Sequence, residues 1–432
     1  MEFEKSRSAN GTNKSKGGRE KMKKAFLCLV IAIFSVFMFA KTELVFWHYW
    51  DGENGKKLES LVKEFNASHP NIEVQPVFIP GSDLLTKIQL SILSGQTPDL
   101  AISDIIGMPL ILDTAKVIDL MPFVEKYNYD LNDFYENTLV YGKVEDKLFS
   151  IPVSSSNLGL FWNKDLFKKA GLDPEKPPKT WDELVEFGII IKEKTGKFGY
   201  ELYLDGGEGT TWQWQIFLWQ AGGEFLDPNS NYRKSSFNSE AGVQALQFWV
   251  DLTNTHKISP IAPWGLFSRG EAAMVMDGSW MTQFFPAQVN FELGSAIFPY
   301  PENGVPATNM GGEQIFIFNT TKEKEAASWE FVKWFTSTEV QIDWDKATGF
   351  IPVKKSVATD ESYNAYIKNT NRLLLPFIEV QQYSHARPPI KEYPQVSDIV
   401  SKAIISAVYK KGTPEEVLNE AASQVDLLLG KK

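Results

Sequence analysis

The chain has 432 residues, enough for two or more domains with large buried cores. Its composition is that of an ordinary globular protein except for the aromatics, which include 13 Trp and 30 Phe; soluble proteins expose few large rings without a reason, so some should line a binding surface. The formal net charge of −10 argues against nucleic acid and anionic membrane surfaces as partners.

Residues 1–21 are polar and of low complexity and read as a leader or a misplaced start, Met22 being the alternative to Met1. Met22-Lys23-Lys24, the apolar run Ala25–Phe39 and then Ala40 predict a secretory signal peptide cleaved after Ala40. The run is too short and too isolated for a membrane span. The one cysteine, Cys28, lies inside it behind Phe26 and Leu27 rather than behind small residues, so no lipid anchor is expected. The mature chain would then have no disulfide and no thiol chemistry. Residues 1–40 carry eight basic and three acidic groups, which leaves 36 basic against 51 acidic, or −15. These features fit a soluble, periplasmic or secreted protein of a bacterial envelope.

Glu43–His48 alternates β-forming residues and predicts a strand. Asp51-Gly52-Glu53-Asn54-Gly55 is turn chemistry. Lys56–Phe65 places Leu58, Leu61, Val62 and Phe65 at helical spacing, and Ser68-His69-Pro70-Asn71 ends that helix. Ile72–Ile79 is a second strand. Ser82–Ser94 is a second helix, capped by Ser82 or Asp83. Asp99–Ser103 is a third, buried strand. This alternation predicts parallel βαβ units and an α/β layered domain. Further on, Leu158–Trp162 is a strand, and a helix starts at Asn163-Lys164-Asp165 and ends at Gly171. Thr180 caps a helix from Trp181. Thr211–Gly222 and Ser239–Thr255 are helices, Ile315–Asn319 a strand and Glu323–Thr336 a helix. Val396–Gly412 and Pro414–Leu429 close the chain as helices. There is no solenoid repeat and no eight-fold barrel cadence.

Histidine occurs only at positions 48, 69, 256 and 385, with no pair at ligand spacing, so neither a metal site nor a cofactor is expected. There is no G-x-S-x-G elbow and no P-loop. Gly206-Gly207-Glu208-Gly209 lacks the third glycine of a dinucleotide fingerprint and reads as a loop. Asp51 with Glu53 is the nearest thing to a glycosidase acid pair, but in an acidic chain such pairs arise by chance and turn residues explain them.

Five strings occur in order. They are Leu160–Leu172 (LFWNKDLFKKAGL), Pro178–Leu184 (PKTWDEL), Phe267–Trp280 (FSRGEAAMVMDGSW), Gly311-Gly312-Glu313 and Thr348–Val353 (TGFIPV). Together they resemble the family 1 extracellular solute-binding proteins of ABC importers, the maltose-binding type, over essentially all of 41–432. Trp162 stands where that family usually has Tyr. The resemblance implies a two-lobe periplasmic binding protein fold of type II, with hinge strands between the lobes and a ligand cleft. It places lobe 1 at 41–153 and 312–349, and lobe 2 at 154–311 and 350–432. The crossovers then fall near Ser154–Leu158, Met310–Gly312 and Thr348–Pro352, each with Gly, Pro or Ser where the chain can bend. It also implies a monomer that delivers a small molecule to membrane permease subunits, with lobes that close on the ligand.

A sugar presents apolar C–H faces to flat rings and hydroxyls to acids, amides and backbone groups. Strand ends and loops supply the candidates. Trp47, Tyr49, Trp50 and Asp51 end the first strand, with His48 the weakest member of the run. Period-2 alternation turns about half of Trp47–Trp50 into the core. Asp83 opens the second helix and Ser103 and Asp104 end the third strand. Ser156 and Asn157 lie at the first crossover. Trp212 and Trp214 cannot share a helix face, so one of them is packing. Ser279 and Trp280 follow the Asp277-Gly278 turn, where the resemblance implies a sugar-stacking Trp. Gly311, Gly312 and Glu313 sit at the second crossover. Trp181, Trp329 and Trp334 belong to ordinary amphipathic helices.

The leading expectation is a carbohydrate-binding protein without enzymatic activity. The first alternative is a glycerol-3-phosphate or glycerophosphodiester binder, which the Phe46-Trp47-His48 start also resembles. Arg387 lies near where that branch supplies a phosphate-binding Arg, but Pro389 occupies the best-aligned position and Phe350 replaces a Tyr hydroxyl. A phosphate calls for cationic or N–H donors, and beyond residue 40 the chain has arginines only at 233, 269, 372 and 387. A secreted glycoside hydrolase and a structural envelope protein are the remaining alternatives.

Overall fold

The computed structural model describes residues 41–430; the predicted signal peptide and Cys28 lie outside them. In chain order the main strands are β1 (Thr42–His48), β2 (Ile72–Phe78), β3 (Leu100–Asp104), β4 (Ser150–Pro152), β5 (Leu158–Asn163), β6 (Phe198–Glu201), β7 (Ala272–Gly278), β8 (Leu293–Ala296) and β9 (Glu313–Ile317). The helices that matter to the site are α1 (Gly52–Ser68), α2 (Gly81–Ser94), α3 (Trp181–Thr195), α4 (Glu208–Gln220), α5 (Met281–Gln288), α6 (Lys322–Phe335), α7 (Thr338–Thr348), α8 (Tyr393–Val408) and α9 (Pro414–Leu429). Among the described residues no helix is long and apolar enough to cross a membrane.

Two sheets organise two cores. In the first, Leu44, Phe46 and His48 bury alternate positions of β1, as a strand with one face on a core requires. The strand order is β2-β1-β3-β9-β4. β1 pairs in parallel with β2 and β3, through α1 and α2, as the alternation predicts. β9 returns from far along the chain and runs antiparallel to β3 and β4, so the sheet is mixed. The second sheet has the order β8-β5-β7-β6. Only β6 and β7 are parallel within it; β5 runs antiparallel to both β7 and β8. Leu100, Ile102, Ile315, Phe331 and Trp344 pack the first core. Leu160, Trp214, Phe217, Trp249 and Ile404 pack the second. Deleting any one of these side chains would cost about 2–5 kcal/mol.

Local signals set most boundaries. Thr180 accepts the Glu183 N–H at 3.1 Å to start α3. Thr413 and Glu416 form a reciprocal capping box on α9. Two expectations need correction. The Asp51–Gly55 run is not a separate turn: α1 begins at Gly52, and the Gly55 N–H donates to the Asp51 carbonyl at 2.9 Å. Neither Ser82 nor Asp83 caps α2, whose N-cap is Pro80, since the Ser82 hydroxyl instead donates to Asp83 at 3.0 Å. Gly206-Gly207 remains a loop, whereas Glu208 and Gly209 form the first turn of α4.

Three connecting segments run side by side between the sheets. Ser156 and Gly311 exchange backbone hydrogen bonds of 3.0 and 2.8 Å, and the Ile351 N–H donates to the Ser155 carbonyl at 2.8 Å. Gly312 has φ of 147°, and a Cβ there would run into the Ser154 carbonyl. Only glycine meets both conditions.

Candidate functional site

A cavity of about 470 Å³ lies between the two sheets. One wall is the carboxyl end of β1 and the start of α1, contributing Tyr49, Trp50, Asp51 and Asn54, with Asp104 from the end of β3. The opposite wall is Trp212 on α4 and Trp280, Met281, Phe284 and Gln288 at and on α5. The crossovers form the floor, through Ser156, Gly311, Gly312, Glu313 and Phe350. The strand ends lead into this space, as expected for ligands of open α/β sheets. Across it, Phe284 from one wall reaches Gly52 on the other.

The indoles of Trp212 and Trp280 are nearly parallel, with centroids 6.0 Å apart and planes 5° apart. Trp212 is held by its neighbours. Asn309 donates to the Trp212 carbonyl at 2.8 Å, and the Arg387 guanidinium sits 5.4 Å from the Trp212 ring centre. The arrangement presents flat, preoriented apolar surface to whatever occupies the cavity.

The charges are grouped around Arg387, which is 2% exposed. Its Nη2 donates to Asp104 at 3.0 and 3.3 Å, and its Nη1 to Glu208 at 2.7 Å. Glu208 also accepts from Tyr393 at 3.1 Å and from Ser397. Burial pushes the Glu208 carboxyl up while Arg387 opposes the shift. The guanidinium is thus engaged by two carboxylates, and its charge is not presented to the cavity. On the floor, Tyr49 donates to Glu313 at 2.6 Å and Ser154 donates to the second carboxylate oxygen. Burial pushes Glu313 up to about 8, with Asp104 adding and the Tyr49 hydrogen bond opposing.

Of the sequence candidates, the cavity gathers Tyr49, Trp50, Asp51, Asp104, Ser156, Trp212, Trp280, Gly311, Gly312 and Glu313. The others lie elsewhere. Trp47 falls on the opposite side of β1, with the Lys87 ammonium 5.1 Å from its ring centre. Asp83 is exposed on α2. Ser103 is buried and donates to the Asp104 carbonyl at 3.0 Å. Asn157 is buried and donates to Phe377 at 2.8 Å and Gln381 at 2.7 Å, because alternation along the crossover sends Ser156 to the cavity and its neighbours away. Trp214 is core, two residues from Trp212 and on another helix face. Ser279, the residue before Trp280, is buried and outside the lining, and Arg387, also outside it, donates to Asp104. His48 faces the first core, where burial lowers it to about 4.

The cavity adds Asn54, Met281, Phe284 and Gln288, with Glu208 supporting it from behind Arg387, which the sequence reading does not mark; Phe350, marked only as the replacement of a Tyr hydroxyl, also lines it. Met281, Phe284 and Gln288 follow Trp280 at helical spacing, a signal that could have marked one face of α5 as cleft. Asp51 and Glu53 do not form an acid pair: Glu53 is exposed and pairs with Lys56 at 2.7 Å. Among the described residues no His, Cys, Asp and Glu cluster could hold a metal ion.

Comparison with known proteins gives the same fold. The crystal structure of a cyclic α-maltosyl-1,6-maltose binding protein from Arthrobacter globiformis is 39% identical, with a TM-score of 0.81, covering 91% of this chain and 100% of that one. An ABC transporter solute-binding protein from Thermotoga lettingae, bound with α-D-tagatose, is 26% identical with a TM-score of 0.80, covering 90% of this chain and all of that one. The sn-glycerol-3-phosphate-binding periplasmic protein UgpB of Pectobacterium atrosepticum is 24% identical over 440 residues, 94% of this chain and 95% of its own. These relatives are binding proteins rather than enzymes, and the hydrolase alternative is dropped. The profile of the bacterial extracellular solute-binding proteins matches residues 49–342, and the chain belongs to that family.

Proposed function

We propose that this solute-binding protein captures a neutral carbohydrate in the inter-lobe cavity and delivers it to the permease subunits of an ABC importer. The reading includes a signal peptide cleaved after Ala40, a soluble monomer without a lipid anchor, and lobes at 41–153 with 312–349 and at 154–311 with 350–432. The observation that carries it is the pairing of a parallel Trp212–Trp280 platform with an arginine whose two terminal nitrogens are already engaged by carboxylates. Rings suit the C–H faces of a sugar, and Asp51, Asn54, Ser156 and Gln288 suit its hydroxyls. An anionic ligand would meet Asp51 and Asp104 with no cationic side chain in the lining. Two relatives whose names or bound ligands are sugars support the same class. The second reading, glycerol-3-phosphate, is favoured by the UgpB relatives. It would require Arg387 to leave Asp104 for the phosphate.

Tryptophan fluorescence titration tests the proposal. Neutral saccharides should change the emission saturably, and Trp280→Ala should abolish the change at the same concentrations. A saturable response to sn-glycerol-3-phosphate, lost in Arg387→Lys and absent with every saccharide, would establish the second reading instead.

A further inference from the structure

The first sheet carries a groove at the end away from the inter-lobe cavity. Because β9 runs antiparallel to β3, its carboxyl end lies opposite the end where β3 stops at Asp104. Beyond that end Val117 bridges to Phe318, and the Asn319 N–H donates to the Lys116 carbonyl at 2.8 Å. The Ile118 N–H donates to the Ile317 carbonyl at 3.0 Å, and the Leu120 N–H to the Leu148 carbonyl at 2.6 Å. These bonds hold three distant segments together, and with the start of α6 they enclose about 770 Å³. The groove shares no lining residue with the ligand cavity.

Phe123 and Phe149 supply its aromatic surface. The Phe123 ring stacks on Trp329 of α6, with centroids 5.6 Å apart and planes at 29°, and Tyr129 meets the same indole edge to face. Glu325, in the first turn of α6, lines the groove and is only 1% exposed. Its Oε2 accepts from Lys322 at 2.7 Å, but its Oε1 has no hydrogen-bond partner among the described residues. A buried carboxylate oxygen without a donor is unfavourable, so a ligand donor placed there gains a strong bond. Lys126 and Lys147 line the same groove. Among the described residues neither ammonium reaches a carboxylate, and Lys126 lies 5.0 Å from the Tyr127 ring centre. The other acid of the lining, Asp119, is committed to the backbone, accepting from Met121 at 3.0 Å and Leu148 at 3.2 Å.

We propose that this groove is a second binding site, separate from the inter-lobe cavity, for a short apolar peptide with free ends. Its ammonium donates to the open oxygen of Glu325, its carboxylate is received by Lys126 and Lys147, and its side chains lie on Phe123 and Phe149. A ligand of one charge sign would satisfy only half of this lining. A neutral sugar would leave both the carboxylate and the two ammonium groups without a charged partner.

Calorimetric titration with trileucine, N-acetyl-trileucine and trileucine amide tests the site in the wild type, in Glu325→Gln and in the double variant Lys126→Met, Lys147→Met. The wild type should bind free trileucine saturably, one per chain, and each capped peptide about tenfold more weakly. Glu325→Gln should bind the free and the N-acetylated peptide equally. The lysine variant changes only exposed side chains, so it should keep the wild-type melting temperature while binding the free peptide and the amide equally. No saturable binding of trileucine to the wild type would overturn the proposal. So would equal binding of the free and capped peptides, or a lysine variant that discriminates against the amide as the wild type does. None of these outcomes bears on the carbohydrate reading of the inter-lobe cavity.

Discussion

Arg387 shows how a single side chain decides between ligand classes. Its two carboxylate partners are 283 and 179 residues away in sequence, at Asp104 and Glu208. No local pattern announces that pairing, and the sequence could only mark Arg387 as a phosphate candidate. Replacing it by methionine would leave two partly buried carboxylates without their cation. We expect Arg387→Met to lower the unfolding free energy by about 3 kcal/mol or more, read by denaturant titration. Glu313 supplies a pH prediction. Its carboxyl sits at about 8 in the fold against an ordinary value of 4.5, so the folded state holds the proton between those values. The stability it contributes is whole below pH about 4.5 and is lost as the pH rises through 8. Glu313→Gln removes this titration, so its stability relative to the wild type should increase from pH 5 to pH 8 in thermal unfolding. A constant difference over that range would contradict the assignment.

At the scale of elements, periodicity was legible and direction was not. The alternation in β1 and the exclusion of Trp212 from the face of Trp214 could both be read from spacing. Which of the two tryptophans faced the cavity could not, because that depends on how α4 lies across the second core. We expect Trp214→Ala to cost about 3–5 kcal/mol of stability, as loss of a buried indole should. Trp212→Ala should leave unliganded stability nearly unchanged and lower ligand affinity about tenfold, or 1.4 kcal/mol. Equal stability losses in the two variants would refute the division. The helix starts at Thr180 and Thr413 were equally legible, since a cap is a short-range signal. The Asp51–Gly55 run was not, because turn-forming residues here continue as the first turn of α1. At the crossovers, Gly312→Ala meets both a forbidden φ and the Ser154 carbonyl. It should weaken ligand binding even if the lobes fold, because the floor of the cavity must shift.

For the whole molecule, the ordered set of strings pointed to two lobes and a cleft, and the two sheets with their separate cores agree with that architecture. The mixed strand directions escaped sequence reading because β9 reaches the first sheet only after the chain has built most of the second. The connecting segments lie side by side at Ser155–Ile351 and Ser156–Gly311, and on the proposed lobe division ligand binding should draw the lobes together as hinge closure. A reduced radius of gyration in X-ray scattering on adding saturating ligand would register that motion. The most direct test of the central claim is thermal unfolding of the mature protein with neutral oligosaccharides and, separately, with sn-glycerol-3-phosphate. A ligand present at a hundred times its dissociation constant stabilises by about 2.7 kcal/mol, which is readily seen as a rise in melting temperature. The account predicts such a rise with at least one neutral oligosaccharide and none with sn-glycerol-3-phosphate; a rise with sn-glycerol-3-phosphate alone would contradict it.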